Sequence, residues 1–203
     1  MTTIALFLRW PEPGQVKTRL IPALGADGAS ALYERLAKAA CAEIEALDEP
    51  LLARWAYVTP AERALDWTAR LSLRWTAVSQ PEATLGQRLQ YVMALAFSTG
   101  ATRVLVAGSD IPELTREVWR EAIEALTTHE AVIGPALDGG YYLLGLRREM
   151  PELFHAIDWS TDRVLAQTCA VLDRSQTRYT LLRPLRDLDT PDDLAQFYPG
   201  LRP

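Results

Sequence analysis

Ile4-Ala5-Leu6-Phe7-Leu8-Arg9 and then Trp10-Pro11-Glu12-Pro13-Gly14-Gln15-Val16-Lys17-Thr18-Arg19-Leu20 open the chain. The first six residues form a short apolar run with strand character, and the Pro/Gly cluster behind it reads as a turn. Two cations and a hydroxyl, Lys17, Arg19 and Thr18, follow at once. In α/β proteins a phosphate-facing loop sits at the carboxyl end of the first strand. Lys17 and Arg19 would neutralise phosphate charge there, and Gly14 would let the backbone come close. Arg9 and Thr18 belong to the same nucleotide-facing set. On this stretch alone, a surface turn with two solvated cations explains the residues equally well.

Outward from it the pattern repeats. Strand-like runs recur at 52–58, 73–78, 103–108, 131–135, 141–146 and 178–183. Helical periodicity fills most of the gaps: Ala29–Leu47, Leu85–Phe97, Thr115–Leu126 with Thr115 as N-cap, and Ser160–Leu172, also begun by a capping hydroxyl. Thr190-Pro191 starts a last short helix with Asp192 and Asp193 in its first turn. Alternating strands and helices imply one α/β domain over residues 1–203, a three-layer α/β/α fold around a mainly parallel mixed sheet. Ligands in such sheets bind outside the carboxyl ends of the strands, so residues just after the strand-like runs carry most weight.

The totals agree. A chain of 203 residues suits one domain with a sizeable core. Its net charge of −5 argues against a nucleic-acid partner, while one local basic loop still admits small anionic ligands. Cys41 and Cys169 stand far apart with no CxxC pair, so zinc is not expected and a reduced, cytoplasmic setting is. No apolar run reaches the roughly 18 residues of a membrane span, and the first cation, Arg9, comes after the apolar run, unlike a signal peptide. Six tryptophans, Trp10, Trp55, Trp67, Trp75, Trp119 and Trp159, leave room for an exposed homodimer contact.

At the strand ends, Val104–Ala107 runs into Gly108-Ser109-Asp110. A carboxylate there can ligate Mg²⁺ that bridges substrate phosphates. The competing role, a helix cap, falls better to Thr115. Ala131–Pro135 leads into Ala136-Leu137-Asp138-Gly139-Gly140-Tyr141-Tyr142. Paired glycines fit both a hairpin turn and one wall of a substrate pocket, which only one of the two tyrosines faces. Asp187 and Asp189 lie two apart in an extended segment and so point to one side, where a carboxylate could share a metal with Asp110. Gly86-Gln87-Arg88 opens a helix whose free N–H groups can meet an anion or a base edge, although an ordinary amphipathic helix explains it as well.

In order, the segments PxxGxxKTRL, TLGxRL, GSDIPxLT, GPxxDGGYYLxGL, WST and LRDLDTPxDL resemble a bacterial family, domain of unknown function 2064 (DUF2064). That family is described as transferases of the glycosyltransferase-A (GT-A) fold, of the radical-SAM/selenodomain-associated transferase 1 type. More distantly, the layout is similar to 2-phospholactate guanylyltransferase and to the nucleotidyltransferases of molybdenum-cofactor assembly. The resemblance implies a nucleotide-diphospho-sugar transferase-like fold with Lys17 and Arg19 as phosphate-binding, catalytic residues. It makes Asp110 the metal-binding, catalytic aspartate and Asp189 the second ligand, with Asp187 as the alternative, for Mg²⁺ or Mn²⁺. The chain departs from the guanylyltransferase pattern at Tyr141-Tyr142, where that enzyme has Thr-Asn, and it lacks a strict DxD motif at Gly108-Ser109-Asp110.

Two transfer chemistries follow. In the first, a small anionic acceptor attacks the α-phosphate of a nucleoside triphosphate and pyrophosphate leaves. Neither His129 nor His155 is placed as a base, which suits an acceptor that is already an anion. In the second, a nucleotide-diphosphate sugar donates its sugar to a hydroxyl acceptor, with Asp138 as the base. Asp138, Gly139, Gly140, Tyr141, Trp159 and Ser160 form the acceptor set in either case, and Gly86 and Arg88 join the nucleotide set. A third reading, a non-catalytic nucleotide-binding module, would be marked by loss of the phosphate loop or the metal aspartates, and neither is lost.

Overall fold

The computed structural model describes residues 1–200. Seven strands, β1 (Thr2–Arg9), β2 (Leu52–Thr59), β3 (Thr76–Ser79), β4 (Arg103–Gly108), β5 (Ala131–Pro135), β6 (Tyr141–Leu146) and β7 (Tyr179–Leu181), overlap the seven strand-like runs of the sequence, with β3 beginning three residues later than its run. They form one sheet in the order β3-β2-β1-β4-β6-β5-β7. Every pairing is parallel except those of β6, which runs antiparallel to β4 and β5. Six helices accompany them: α1 (Ile21–Glu45), α2 (Ala64–Arg70), α3 (Leu85–Ser98), α4 (Arg116–Thr128), α5 (Val164–Arg174) and α6 (Pro191–Phe197).

Strand β1 shows how the layers arise. Side chains alternate across a strand, and here both faces are covered, so the run is apolar throughout. Ile4, Leu6 and Leu8 pack into a cluster with Ile44 of α1, Trp67 of α2 and Trp119 of α4. Ala5, one position out of phase, joins the opposite cluster with Val92 and Met93 of α3 and Leu172 of α5. This is the expected α/β/α sandwich. A third cluster, Leu20, Leu32 and Leu36 with Leu188 and Leu194, clamps the segment before α6 onto α1.

Local signals gave way to tertiary context in four places. Helix α1 begins at Ile21, ahead of the expected Ala29, and bends at Gly25, whose φ of 71° glycine tolerates. Helix α2 was not expected, because seven residues are too few to show a helical period. Thr115 holds the N-cap position of α4 but makes no side-chain cap bond; Glu43 of α1 accepts the Arg116 N–H instead, at 2.7 Å. Helix α5 starts at Val164 and not at Ser160, which is in the left-handed region at φ 64°. Thr190 does cap α6, in a reciprocal capping box with Asp193.

None of the six tryptophans is exposed: four are buried, and Trp10 and Trp159 are half-buried. Among the described residues no helix is long and apolar enough to cross a membrane. What positions the site is the connectivity around β1. The chain leaves β1 for β2 on one side and later returns as β4 on the other. The carboxyl ends of β1 and β4 therefore flank a topological switch point, where open α/β sheets leave a crevice.

Candidate active site

The loop after β1 enters this crevice. Gly14 has a φ of 84°, a value that glycine adopts without strain. Val16 is buried in the core and anchors the loop. Lys17 takes a left-handed conformation, φ 47° and ψ 44°, which costs a non-glycine residue about 1–2 kcal/mol. The turn carries its side chain inward, to 4% exposure, with Nζ 2.8 Å from Asp110 Oδ2 and 3.5 Å from Asp189 Oδ1. Arg19 stays largely in solvent and donates from Nη1 to Asp189 Oδ2 at 2.7 Å.

The loops are tied to one another. The Asp110 carbonyl accepts the Leu188 N–H at 3.1 Å. Leu188 is buried between two aspartates that point the other way, which places Asp187 and Asp189 beside Asp110. Tyr33 of α1 accepts the Arg9 N–H at 2.7 Å and shares a hydrogen bond with the Ser109 hydroxyl at 3.1 Å, linking the ends of β1 and β4. Burial pushes its hydroxyl up to about 12, so it serves this link as a neutral group.

Asp187 stands apart. Its Oδ1 is buried with no hydrogen-bond partner. Burial first, then the charges of Asp110 and Asp138, push this carboxyl up to about 7. An orphaned carboxylate beside two others is a set of hard oxygen donors, and it fits a divalent cation such as Mg²⁺ or Mn²⁺. Among the described residues no three carboxylate, histidine or cysteine side chains form a ready cage. A metal held by one or two carboxylates, with water and substrate phosphates completing its shell, matches what Mg²⁺ ordinarily uses.

A cavity of about 490 Å³ opens over this cluster. Of the nucleotide set read from the sequence, Arg9, Lys17, Thr18, Arg19 and Arg88 line it together with Asp110 and Asp189. Gly14 and Gly86 do not: Gly14 shapes the turn, and Gly86 lies under the indole of Trp159, where a Cβ would collide with the ring. Sequence reasoning missed Gln80. It lies just past β3, at a strand's carboxyl end like the other site residues, and the same rule points to it. Buried, it donates to the Tyr57 carbonyl at 2.7 Å and accepts from Arg88 at 3.4 Å, which orients Arg88 toward the cavity.

A second cavity, of about 520 Å³, lies alongside and shares Arg19 and Leu85 with the first. Asp138, Gly140, Tyr141, Trp159 and Ser160 of the acceptor set line it. Gly139 does not; at φ 89° it makes the β5–β6 turn, and its Cα packs on the backbone of Asp162. The hairpin and the pocket wall are thus the same structure. Tyr141 faces the cavity, whereas Tyr142 is buried in the core and donates its hydroxyl to the Arg183 carbonyl at 3.1 Å. A third cavity of about 300 Å³, lined by Arg19, Asp138, Asp187 and Asp189, adjoins both.

Comparison with known proteins bears on the family and the fold. The family model described as "Uncharacterized protein conserved in bacteria (DUF2064)" matches residues 27–161. No curated protein matches the sequence. A "putative nucleotide-diphospho-sugar transferase" from Desulfovibrio desulfuricans G20 is 33% identical, with a TM-score of 0.90 over 97% of this chain and 86% of that one. Rv0371c from Mycobacterium tuberculosis H37Rv, solved in complex with manganese, is 16% identical, with a TM-score of 0.55 over 98% of each chain. The 4-diphosphocytidyl-2C-methyl-D-erythritol synthase of Anaerococcus prevotii is 10% identical, with a TM-score of 0.64 over 97% of this chain and 93% of that one. At such identities the last two show the fold alone.

Proposed function

The chain belongs to the DUF2064 family of proteins conserved in bacteria, and from that premise we propose that it is a divalent-metal-dependent transferase acting on a nucleotide, with nucleotidyl transfer from a nucleoside triphosphate as its reaction. The observation that carries the reading is the convergence of Lys17, Arg19, Asp110 and Asp189 at the topological switch point, under one cavity of about 490 Å³. Four cations and two carboxylates line that cavity, a balance suited to a polyphosphate bound with a metal.

Each group has a task. Lys17 and Arg19 bind and orient phosphate oxygens and hold the negative charge that grows on the leaving pyrophosphate. Exchanging a carboxylate partner for phosphate needs little motion of either cation, since both already point into the cavity. Arg88, steadied by Gln80, contacts the nucleotide farther along the cavity. Asp110 and Asp189, with Asp187 beside them, would hold Mg²⁺ or Mn²⁺, whose role when bound is Lewis-acid neutralisation of phosphate charge. Rv0371c, of the same fold, carries manganese, which supports the choice of metal.

A second reading, transfer of a sugar from a nucleotide-diphosphate sugar, is favoured by the name of the 33% identical Desulfovibrio protein. The two differ in what they release. Incubation with each nucleoside triphosphate, Mg²⁺ or Mn²⁺ and a panel of small hydroxyl and anionic acceptors, assayed for pyrophosphate, yields pyrophosphate in the first case. Release of nucleoside diphosphate from a nucleotide sugar, with no pyrophosphate from any triphosphate, establishes the second.

A further inference from the structure

We propose that the cavity of about 520 Å³ beside the nucleotide site takes an uncharged or cationic polyhydroxylated acceptor, of the sugar or amino-sugar class. The inference rests on the transferase reading above and names the acceptor for it. It also replaces the expectation of a small anionic acceptor.

The charge of the walls decides the class. Two acidic side chains outside the metal cluster, Asp138 and Asp162, line the cavity, and among the described residues Arg19 is its one lining cation. Arg19 is already paired with Asp189 at 2.7 Å. A phosphate or carboxylate placed here meets like charge, which an interface penalises strongly, whereas hydroxyl and ammonium donors meet acceptors of charge-assisted hydrogen bonds. Asp138 is fixed for this role, because its Oδ1 accepts the Gly140 N–H at 2.9 Å.

The cavity is built and not incidental. A Cβ on Gly86 would collide with the Trp159 indole, and one on Gly139 would collide with the Asp162 backbone, so two glycines let the walls close. Trp159 stands edge-on to Tyr141 with ring centroids 6.3 Å apart at 83°. This aromatic corner offers an apolar face against which the C–H face of a sugar ring packs. Tyr141 lines the cavity, while its hydroxyl is buried away from it without a protein partner. Leu85 and Arg19 border both cavities, so the acceptor meets the nucleotide there. In nucleotidyl transfer, an acceptor hydroxyl oxygen forms a bond to the α-phosphorus. The bond from that phosphorus to the bridging oxygen of the β-phosphate breaks, pyrophosphate leaves, and the hydroxyl proton passes to the Asp138 carboxylate.

The test uses the full chain and three matched pairs: glucose and glucose 6-phosphate, glucosamine and glucosamine 6-phosphate, glycerol and glycerol 3-phosphate. Binding is read from the indole N–H resonances of ¹⁵N-labelled protein, with Trp159→Phe identifying the Trp159 signal and thermal melting confirming that this variant folds. The expected result is a shift of the Trp159 signal by glucose or glucosamine, at least tenfold tighter than by the phosphorylated partner. Asp162→Asn narrows that gap. Equal or tighter binding of the phosphorylated partners overturns the proposal, as does the failure of all three unphosphorylated probes to shift Trp159. Metal-dependent triphosphate binding, measured on the same sample, separates the failures: if it persists, the acceptor class alone is wrong, and if it is absent, the nucleotidyl-transfer reading falls with it.

Discussion

Replacing Lys17 with methionine should make the protein less stable, bind metal more tightly and bind triphosphate more weakly. Methionine keeps the apolar stem that the buried lysine packs with and removes only the charge. Breaking a fully buried ion pair costs about 3–5 kcal/mol, and breaking an exposed one about 0–1 kcal/mol. Lys17 has 4% side-chain exposure, but its partners Asp110 and Asp189 have 35% and 40%, so the loss lies between, at about 2 kcal/mol. For a chain of this size that lowers the melting temperature by about 4–8 °C. The carboxylates freed of their ammonium then bind Mn²⁺ without competition, and a cation at a hundred times its dissociation constant returns about 2.7 kcal/mol. The assay is thermal melting of wild type and Lys17→Met across a Mn²⁺ series, followed by titration with triphosphate. A larger Mn²⁺ shift in the variant, joined to weaker triphosphate binding, is the expected pair. Equal Mn²⁺ shifts in the two proteins would refute the idea that Lys17 and the metal share the same carboxylates.

Other consequences are local. Gly139→Ala sets a Cβ against the Asp162 backbone at a φ of 89° and should cost roughly 2 kcal/mol. Gly14→Ala, at a similar φ but in open space, should cost clearly less; equal losses in urea denaturation would show that the Asp162 contact is unimportant. Glu34 is held below the usual carboxylate range by its hydrogen bonds to Arg70 first and Lys38 second. Its lowered pKa contributes stability above the unfolded value of about 4.3 that is lost as pH falls through the folded value. Glu34→Gln should therefore flatten part of the acid limb of a stability–pH curve, and an unchanged limb contradicts the assignment.

How much of this was legible in the sequence depended on the range of each interaction. The central strands were, because a strand covered on both faces is apolar along its length, as Ile4 to Leu8 are, whereas the half-exposed edge strands β3 and β7 show in the sequence only as short runs with blurred ends. The meeting of Lys17, Asp110 and Asp189 was legible as well, since strand ends in such a sheet converge on one edge. The helix starts were less so. Thr115 looks like a cap, yet Glu43, distant in sequence, takes the N–H it should have met. Asp187 was only the alternative ligand, because nothing in Leu185–Leu194 shows that its Oδ1 is buried without a partner while Asp189 keeps Lys17 and Arg19. Gly139 was legible as a turn, but the neighbours that require glycine at Gly86 and Gly139, Trp159 and Asp162, were not.

The central claim is that the cavity over Lys17, Arg19, Asp110 and Asp189 binds a nucleotide through a metal. Calorimetric titration of the wild-type chain and of Asp110→Asn with each nucleoside triphosphate, with and without Mn²⁺, tests it directly. The account predicts that at least one triphosphate binds wild type at least tenfold more tightly with Mn²⁺ than without, and that Asp110→Asn, still folded, loses this gain. Binding of no triphosphate under any condition, or an equal Mn²⁺ gain in Asp110→Asn, would contradict it.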